Sequence, residues 1–132
     1  IYVVGTFETE SGKVTRLDKF TSDGLWRLTV SFSSPGSDFP RDIAVDESGE
    51  LYITGTVQGM LAGFGGDGNG YDMYLRKLTP TGRIVWTRRY DYSTQDYGSA
   101  VAVSGKNVYL VGGFDRDQGP ATDYDIRVVA LT

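Results

Sequence analysis

Short runs of alternating apolar and polar residues, separated by glycine, proline and acidic residues, fill this chain from end to end. The runs are rich in valine, isoleucine, tyrosine and threonine, which is the pattern of β-strands. In the turn sequence Pro80–Gly82, proline presets φ and glycine tolerates a positive φ. The predicted strands are Ile1–Phe7, Lys13–Phe20, Leu25–Phe32, Arg41–Asp46, Glu50–Gly55, Tyr71–Thr79, Arg83–Tyr90, Ser99–Ser104, Val108–Gly113 and Tyr124–Leu131. We therefore expect an all-β protein.

One predicted strand departs from simple alternation. Leu51, Tyr52 and Ile53 are three successive apolar residues. Successive side chains of a strand point to opposite faces of its sheet, so both faces of this strand are expected to be covered. Trp26 and Trp86 also lie within strand patterns, and we expect them to pack between sheets.

The chain contains an internal repeat. A five-residue phrase recurs at Ile1–Gly5, Leu51–Gly55 and Val108–Gly112, with its tyrosines 50 and 57 residues apart. A second, ungapped match at an offset of 58 residues aligns Gly24 with Gly82 and keeps aromatic and β-branched positions in step. Periods of ~40–50 residues with several strands per copy are typical of propeller blades.

Two longer phrases, D-I-A-V-D-E-S-G-E-L-Y-I-T-G and G-N-G-Y-D-M-Y-L-R-K-L-T-P-T-G-R-I-V-W, resemble the repeat of bacterial β-propellers, the seven-bladed propeller-type repeat of secreted and surface proteins. The resemblance implies blades of four antiparallel strands, implies an extracellular or cell-envelope location and brings no catalytic residue set. It divides the chain into a partial blade (1–37), a complete blade (38–95) and a partial blade (96–132). Because an open stack leaves strand edges unpaired, we expect these roughly two and a half blades to belong to a larger ring, completed in cis or by other subunits in trans.

Composition removes several classes of function. The chain has no cysteine and no histidine, which excludes disulfides, thiolate metal sites, cysteine nucleophiles and the Ser-His-Asp triad. Its net charge of −4 argues against nucleic acid as a partner, because phosphate neutralisation needs a basic surface. No apolar run approaches the ~20 residues that cross a bilayer, so membrane insertion is not expected.

The predicted connections differ in length at the two ends of each blade. The turns at one end are short, and the connections at the other end are expected to be long: Glu8–Gly12, Ser33–Pro40, Thr56–Gly70, Asp91–Gly98 and Asp115–Asp123. Long loops on a rigid scaffold are where binding usually resides. This end also gathers aromatic residues: Phe39, Phe64, Tyr71, Tyr92, Tyr97 and Tyr124. The residues singled out as ligand contacts are Asp96, Tyr97, Asp115 and Asp117.

Acidic residues at the same end suggest an oxygen-ligated cation such as Ca²⁺, the one cofactor that the sequence suggests. The local candidate is G-G-D-G-N-G-Y-D, with Asp67, Asn69 and Asp72 as ligands. It does not match an EF-hand loop, because Tyr71 occupies the third ligand position and no glutamate closes the loop. Acidic residues among glycines also cap turns, and this structural interpretation stands beside the metal site.

Three functions are compatible with these observations. The first is a non-catalytic scaffold or binding module whose long loops contact a protein or glycan partner. The second is a carbohydrate-active enzyme of the glycosidase or lyase type, since two carboxyl groups ~5–9.5 Å apart can cleave a glycosidic bond without histidine. Its candidate carboxylates are Asp67, Asp72, Asp96 and Asp117. The third is a subunit of a homo-oligomeric propeller assembly.

Overall fold

The fold consists of β-strands in three antiparallel sheets, seen in a computed structural model that describes residues 1–32, 36–59, 70–115 and 124–132. The strands are β1 (Tyr2–Thr9), β2 (Gly12–Phe20), β3 (Trp26–Phe32), β4 (Asp38–Val45), β5 (Leu51–Gln58), β6 (Tyr71–Leu78), β7 (Ile84–Tyr90), β8 (Asp96–Ser104), β9 (Asn107–Asp115) and β10 (Tyr124–Leu131). The first sheet has the order β1-β2-β3, the central sheet β4-β5-β6-β7 and the third sheet β10-β9-β8. Within the described ranges, no helix has the length and apolar character needed to cross a membrane. The prediction of an all-β fold is confirmed.

The central sheet lies between the other two, and β5 is buried on both faces as its sequence predicts. Leu51 and Ile53 belong to the core shared with the first sheet, whereas Tyr52 belongs to the core shared with the third sheet. The first core contains Leu17, Phe32, Leu51, Ile53, Val57, Tyr74 and Leu78. The second contains Tyr52, Met73, Leu75, Val101, Val108 and Leu110. Apolar residues at successive positions of β5 thus hold three sheets together.

The two ends of the central sheet differ as expected. At the short-turn end, β4–β5, β6–β7 and β8–β9 are joined by tight turns, and Gly82 has the positive φ (83°) that its turn requires. At the opposite end, called here the long-loop end, β5 ends at Gln58 and β6 begins at Tyr71, and the connection 91–95 joins β7 to β8. The predicted long loops extend too far into the strands, since residues 38–40, 56–58 and 96–98 lie in β4, β5 and β8. The prediction of a long loop at Glu8–Gly12 is wrong, because β1 continues to Thr9 and β2 begins at Gly12, which leaves a tight turn between them. Cross-strand pairing there extends both strands past the predicted boundary.

A β-bulge occurs at the same repeat position in β4 and β8. In β4, Pro40 pairs with Gly55 and Asp42 pairs with Thr54, which leaves Arg41 as the extra residue. In β8, Ser99 is skipped in the same way. Because a bulged residue leaves the ladder, its side chain is aimed differently from those of its neighbours. The bulge therefore positions Arg41 independently of the sheet.

The two tryptophans have different environments. The Trp86 ring packs edge-on against Tyr52, with 6.3 Å between ring centroids, and is partly buried against the second core as expected. Trp26 is 60% exposed, so the prediction that it packs between sheets is wrong. It lies on β3, the edge strand of the first sheet, where its indole Nε1 donates to Thr29 Oγ1 (3.0 Å).

Candidate functional site

Three aromatic side chains meet at the long-loop end. Phe39 lies at the start of β4, Tyr71 at the start of β6 and Tyr97 at the start of β8. The rings of Tyr71 and Tyr97 stack with 6.2 Å between centroids and 26° between planes, and Phe39 is tilted against Tyr71 at 6.4 Å. All three are only partly buried, so ring surface remains open to solvent. We call these three residues the aromatic cluster.

The repeat and the strand pairing explain why the cluster forms. Phe39 and Tyr97 are equivalent positions of the repeat, 58 residues apart, so each lies at the same position near the start of its strand. Tyr71 joins them because its backbone forms a parallel bridge with Gln95, the residue before β8. The Tyr97 hydroxyl donates to the Gln95 side-chain oxygen, which fixes that ring. The cluster thus rests on backbone pairing between two sheets.

A polar atom lies buried beneath the aromatic cluster. Thr56 is the cross-strand partner of Phe39 and is 3% exposed. Its hydroxyl has no hydrogen-bond partner among the residues that the structure describes. Thr56 lines a cavity of about 170 Å³ together with the aromatic cluster and Arg41. Burying a hydroxyl without a partner costs free energy, so native proteins rarely keep one without a function or a ligand.

One cation, Arg41, lines the cavity, and a second, Lys13, contacts a ring of the aromatic cluster. Arg41 is exposed at the bulge and forms no ion pair within the described part of the chain. The Lys13 ammonium lies 5.4 Å from the centre of the Phe39 ring, in a cation–π contact. The mouth of the cavity therefore combines open aromatic faces with positive charge.

An acidic group lies beside the cluster. One carboxylate oxygen from each of Asp72, Asp91 and Asp96 lies within 4.8 Å of the other two. Arg89 partly neutralises them, since its Nη2 is 2.5 Å from Asp72 Oδ2 and 3.3 Å from Asp91 Oδ2. Burial nevertheless raises the pKa of Asp72, with the nearby Asp91 and Asp96 carboxylates adding to the shift against the opposing Arg89. The oxygen set suits Ca²⁺, and the guanidinium already holds two of its members.

Asp96 has a structural task in this group. Its Oδ2 accepts hydrogen bonds from the backbone amides of Tyr92 (2.8 Å) and Ser93 (3.1 Å), and its Oδ1 accepts one from the Ser93 hydroxyl (3.1 Å). These bonds close the connection 91–95 between the central and third sheets. Burial raises the pKa of Asp96 although all three hydrogen bonds favour its charged form. Because Asp96 is fully buried, its carboxylate does not contact a ligand directly. It affects ligand binding only by fixing the turn whose amides it binds.

The structure describes only part of the predicted site. Asp67 and Asn69, the proposed partners of Asp72 in a calcium site, lie outside the described residues, as does Asp117. Asp115 ends β9, where its backbone amide donates to the connection between β7 and β8 (3.0 Å). The calcium site stays a prediction, to be tested by whether calcium raises the melting temperature relative to a chelator. Tyr97 is the predicted contact that lines the cavity.

Thr56 and Arg41 were not singled out by the sequence analysis. Pro40, at the end of the predicted connection Ser33–Pro40 and next to a strand pattern, was a signal for a bulge beside it, because proline within a sheet is confined to edges and bulges. Thr56 carried no such signal. Thr56 was assigned to the predicted loop Thr56–Gly70, and only the three-dimensional structure shows that it lies in β5, with its hydroxyl buried and without a partner among the described residues.

A larger cavity, of about 590 Å³, lies at the short-turn end between the central and third sheets. Several of its polar groups are already engaged. The Tyr52 hydroxyl donates to Asp46 (3.3 Å), Lys77 forms an ion pair with Glu50, and the Arg88 guanidinium lies over the Trp86 ring. We therefore place the candidate site at the smaller cavity, where a buried polar atom is left without a partner.

Comparison with known families addresses the fold. Residues 32–57 match the family described as "Beta-propeller repeat", and this segment contains β4, most of β5, the bulge and three residues that line the cavity, Phe39, Arg41 and Thr56. No curated protein matches the chain. The match agrees with the sheets of three or four antiparallel strands seen in the structure. The chain therefore contains a β-propeller repeat of this family, and its sheets are of the propeller-blade type.

Proposed function

We propose that this protein is a non-catalytic β-propeller scaffold that binds a partner at its long-loop end, through the aromatic cluster and the cavity beneath it. The Thr56 hydroxyl, buried and without a hydrogen-bond partner among the described residues, carries the proposal. A ligand group that enters the cavity would supply the missing hydrogen bond and cover the open ring faces at the same time. Following the family resemblance, we further propose that the partner is met outside the cell or at its surface.

The charged groups at this end favour binding over catalysis. Asp72 and Asp96 were candidate carboxylates for glycoside cleavage, and both are buried and already bonded, Asp72 to Arg89 and Asp96 to a turn. A general acid must reach the glycosidic oxygen, and neither carboxylate lines the cavity. Strands rather than flexible loops carry the cluster, so the site is preorganised for a ligand of fixed shape.

Chemical-shift mapping of the ¹⁵N-labelled protein against a panel of small sugars and short peptides tests this proposal. We expect the shifts of the binding members to cluster around Tyr71 and Tyr97. Shifts confined to the short-turn end, or no shifts with any member of the panel, would contradict it. The same sugars, incubated with the protein and assayed for new reducing ends, should stay at background, whereas turnover that is lost in Asp72→Asn would favour the enzyme instead.

A further inference from the structure

Resting on the proposed function, we infer that the cavity at the aromatic cluster takes one uronic acid residue, a pyranose sugar that carries a carboxylate, from an acidic glycan. The inference deepens the proposed binding site by naming the chemistry that fits it. Four properties of the site carry it: the ring faces, the cations, the buried hydroxyl and the volume.

The aromatic faces suit a sugar ring. The face of an aromatic ring carries partial negative charge, and the C–H bonds of a pyranose carry partial positive charge. Tyr71 and Tyr97, stacked at 6.2 Å and partly open, present such a surface at the cavity mouth. An aromatic cluster of this kind also suits a quaternary ammonium ligand. The cluster alone does not distinguish the two.

The charges beside the cluster make the distinction. Arg41 is exposed and forms no ion pair within the described ranges, and the Lys13 ammonium lies over Phe39 at 5.4 Å. The carboxylates of Asp72, Asp91 and Asp96 do not line the cavity, and Arg89 pairs with two of them, so the charged side chain that lines the cavity is that of Arg41. A cation at this position repels an ammonium ligand and attracts a carboxylate. Arginine binds a carboxylate through two parallel hydrogen bonds, and the bulge holds Arg41 outside the strand ladder, on the rim of the cavity.

The buried Thr56 hydroxyl and the volume of the cavity limit which ligand groups can bind in the cavity. A threonine hydroxyl both donates and accepts, as a sugar hydroxyl does, so the two can pair in either direction. The volume of about 170 Å³ is below the ~300 Å³ at which pockets for drug-sized ligands begin, so it accommodates one ring and no longer segment. The remainder of a glycan would extend across the surface.

The test compares D-glucuronate with D-glucose, its neutral counterpart, and with choline, each titrated into the ¹⁵N-labelled protein. We expect glucuronate to shift the amides around Tyr71 and to bind about tenfold or more tightly than glucose, since a hydrogen-bonded charge adds that much. Arg41→Gln should abolish the preference. The control is Arg83→Gln, which removes the same charge from an exposed arginine at the short-turn end and should leave the preference intact.

A second variant addresses the hydroxyl. Thr56→Val keeps the shape of the side chain and removes a buried group without a partner, so the urea midpoint should not fall. Affinity for both sugars should fall about threefold to tenfold, because the hydrogen bond to the sugar is lost. A disaccharide that ends in glucuronate distinguishes a glycan from the free acid, and it should bind at least as tightly as the monosaccharide.

Several outcomes would overturn the inference: equal affinity for glucose and glucuronate, tighter binding of choline, a loss in Arg83→Gln that matches the loss in Arg41→Gln, or unchanged binding in Thr56→Val. If only neutral sugars or a peptide shift the cluster, the inference fails and the proposed binding site stands. If no probe shifts the cluster, both fail.

Discussion

The glycine of the repeated five-residue phrase faces different neighbours in its three copies. A Cβ on Gly55 would lie 2.2 Å from the carbonyl oxygen of Phe39, and one on Gly112 would lie 2.5 Å from that of Tyr97. Phe39 and Tyr97 are equivalent residues just before the two bulges. At Gly5 a Cβ would meet nothing within 4 Å. The glycine thus makes room for the bulged strand where such a strand is present.

Alanine substitutions at Gly55 and at Gly5 should show whether close approach of a neighbouring strand is the reason for the glycine. Gly55→Ala forces the backbone of β4 to move, and we expect the free energy of unfolding to fall by about 2–3 kcal/mol or more. Gly5→Ala, the matched control, should stay within about 0.5 kcal/mol of the wild type, because its site is open. Urea denaturation measures both. Equal effects at the two positions would show that close approach is not the reason for the glycine.

The carboxyl group of Asp96 should contribute to the dependence of stability on pH. Burial raises its pKa above the ordinary 3.8, so the folded state binds more protons than the unfolded state between 3.8 and the raised value. The stability that this group contributes is present below 3.8 and is lost as the pH rises through the folded pKa. Asp96→Asn keeps an oxygen that can accept the backbone amides of Tyr92 and Ser93, and it does not ionise.

We therefore expect the stability of Asp96→Asn relative to the wild type to be greater at pH 7 than at pH 4. The free energy of unfolding in urea, measured for both proteins at both pH values, checks this. A difference that is the same at pH 4 and pH 7 would mean that the pKa of Asp96 is not raised in the folded state.

At the scale of elements, an ion pair spans the centre of the main sheet. Asp38 of β4 and Arg76 of β6 lie on either side of β5, with Arg76 Nη1 3.3 Å from Asp38 Oδ2 and both side chains at most 3% exposed. The guanidinium also lies 5.3 Å from the ring of Phe32, which belongs to the first sheet. The pair therefore connects two strands of one sheet and a neighbouring sheet.

Removing the cation of this pair should be costly. In Arg76→Met the buried Asp38 carboxylate loses the ion pair with Arg76, and we expect a loss of about 3–5 kcal/mol in the free energy of unfolding. Arg16→Met is the control, because Arg16 pairs with Asp18 at 2.9 Å with 43% of its side chain exposed. It should change stability by less than about 1 kcal/mol. Similar losses in the two variants would argue that burial does not strengthen the inner pair.

The elements show what the sequence can and cannot reveal. Alternation and turn chemistry predicted the strands, and three successive apolar residues at Leu51 predicted burial on both faces, because these signals are local. The boundary at Glu8 was missed because it depends on pairing between β1 and β2. In the candidate site, Tyr97 was predicted because it lies in the predicted long connection Asp91–Gly98. The role of Thr56 could not be predicted, because the residues around it in the folded structure decide whether its hydroxyl has a hydrogen-bond partner.

At the scale of the whole molecule, apolar side chains remain exposed on the outermost sheets. On β10 of the third sheet, Ile126 is 82% and Val128 is 63% exposed, and on β1 of the first sheet Val3 and Phe7 are about half exposed. Residues at alternate positions of a strand share one face, so each pair forms part of an apolar surface. Apolar surfaces of this kind mark contacts with further protein.

We expect the protein to associate with itself through these faces in a concentration-dependent way. The double substitution Ile126→Lys and Val128→Lys should weaken association, since it places charge on the apolar surface. Sedimentation velocity over a range of concentrations measures it. The control, Ile84→Lys with Val85→Lys, adds the same charge to consecutive exposed residues of β7 that do not share a face. A wild type that is monomeric at every concentration would contradict the expectation.

The bulge has a consequence for how such a protein can diversify. Arg41 and Ser99 occupy the same bulge position in successive copies, outside the ladder and at the same end of the molecule. A residue that pairs with no strand can be exchanged without a penalty in the hydrogen-bonding of the sheet. Both copies that contain the bulge therefore offer one position at the same end of the molecule that can vary independently, and proteins built from such repeats can change what they recognise one blade at a time while the fold stays constant.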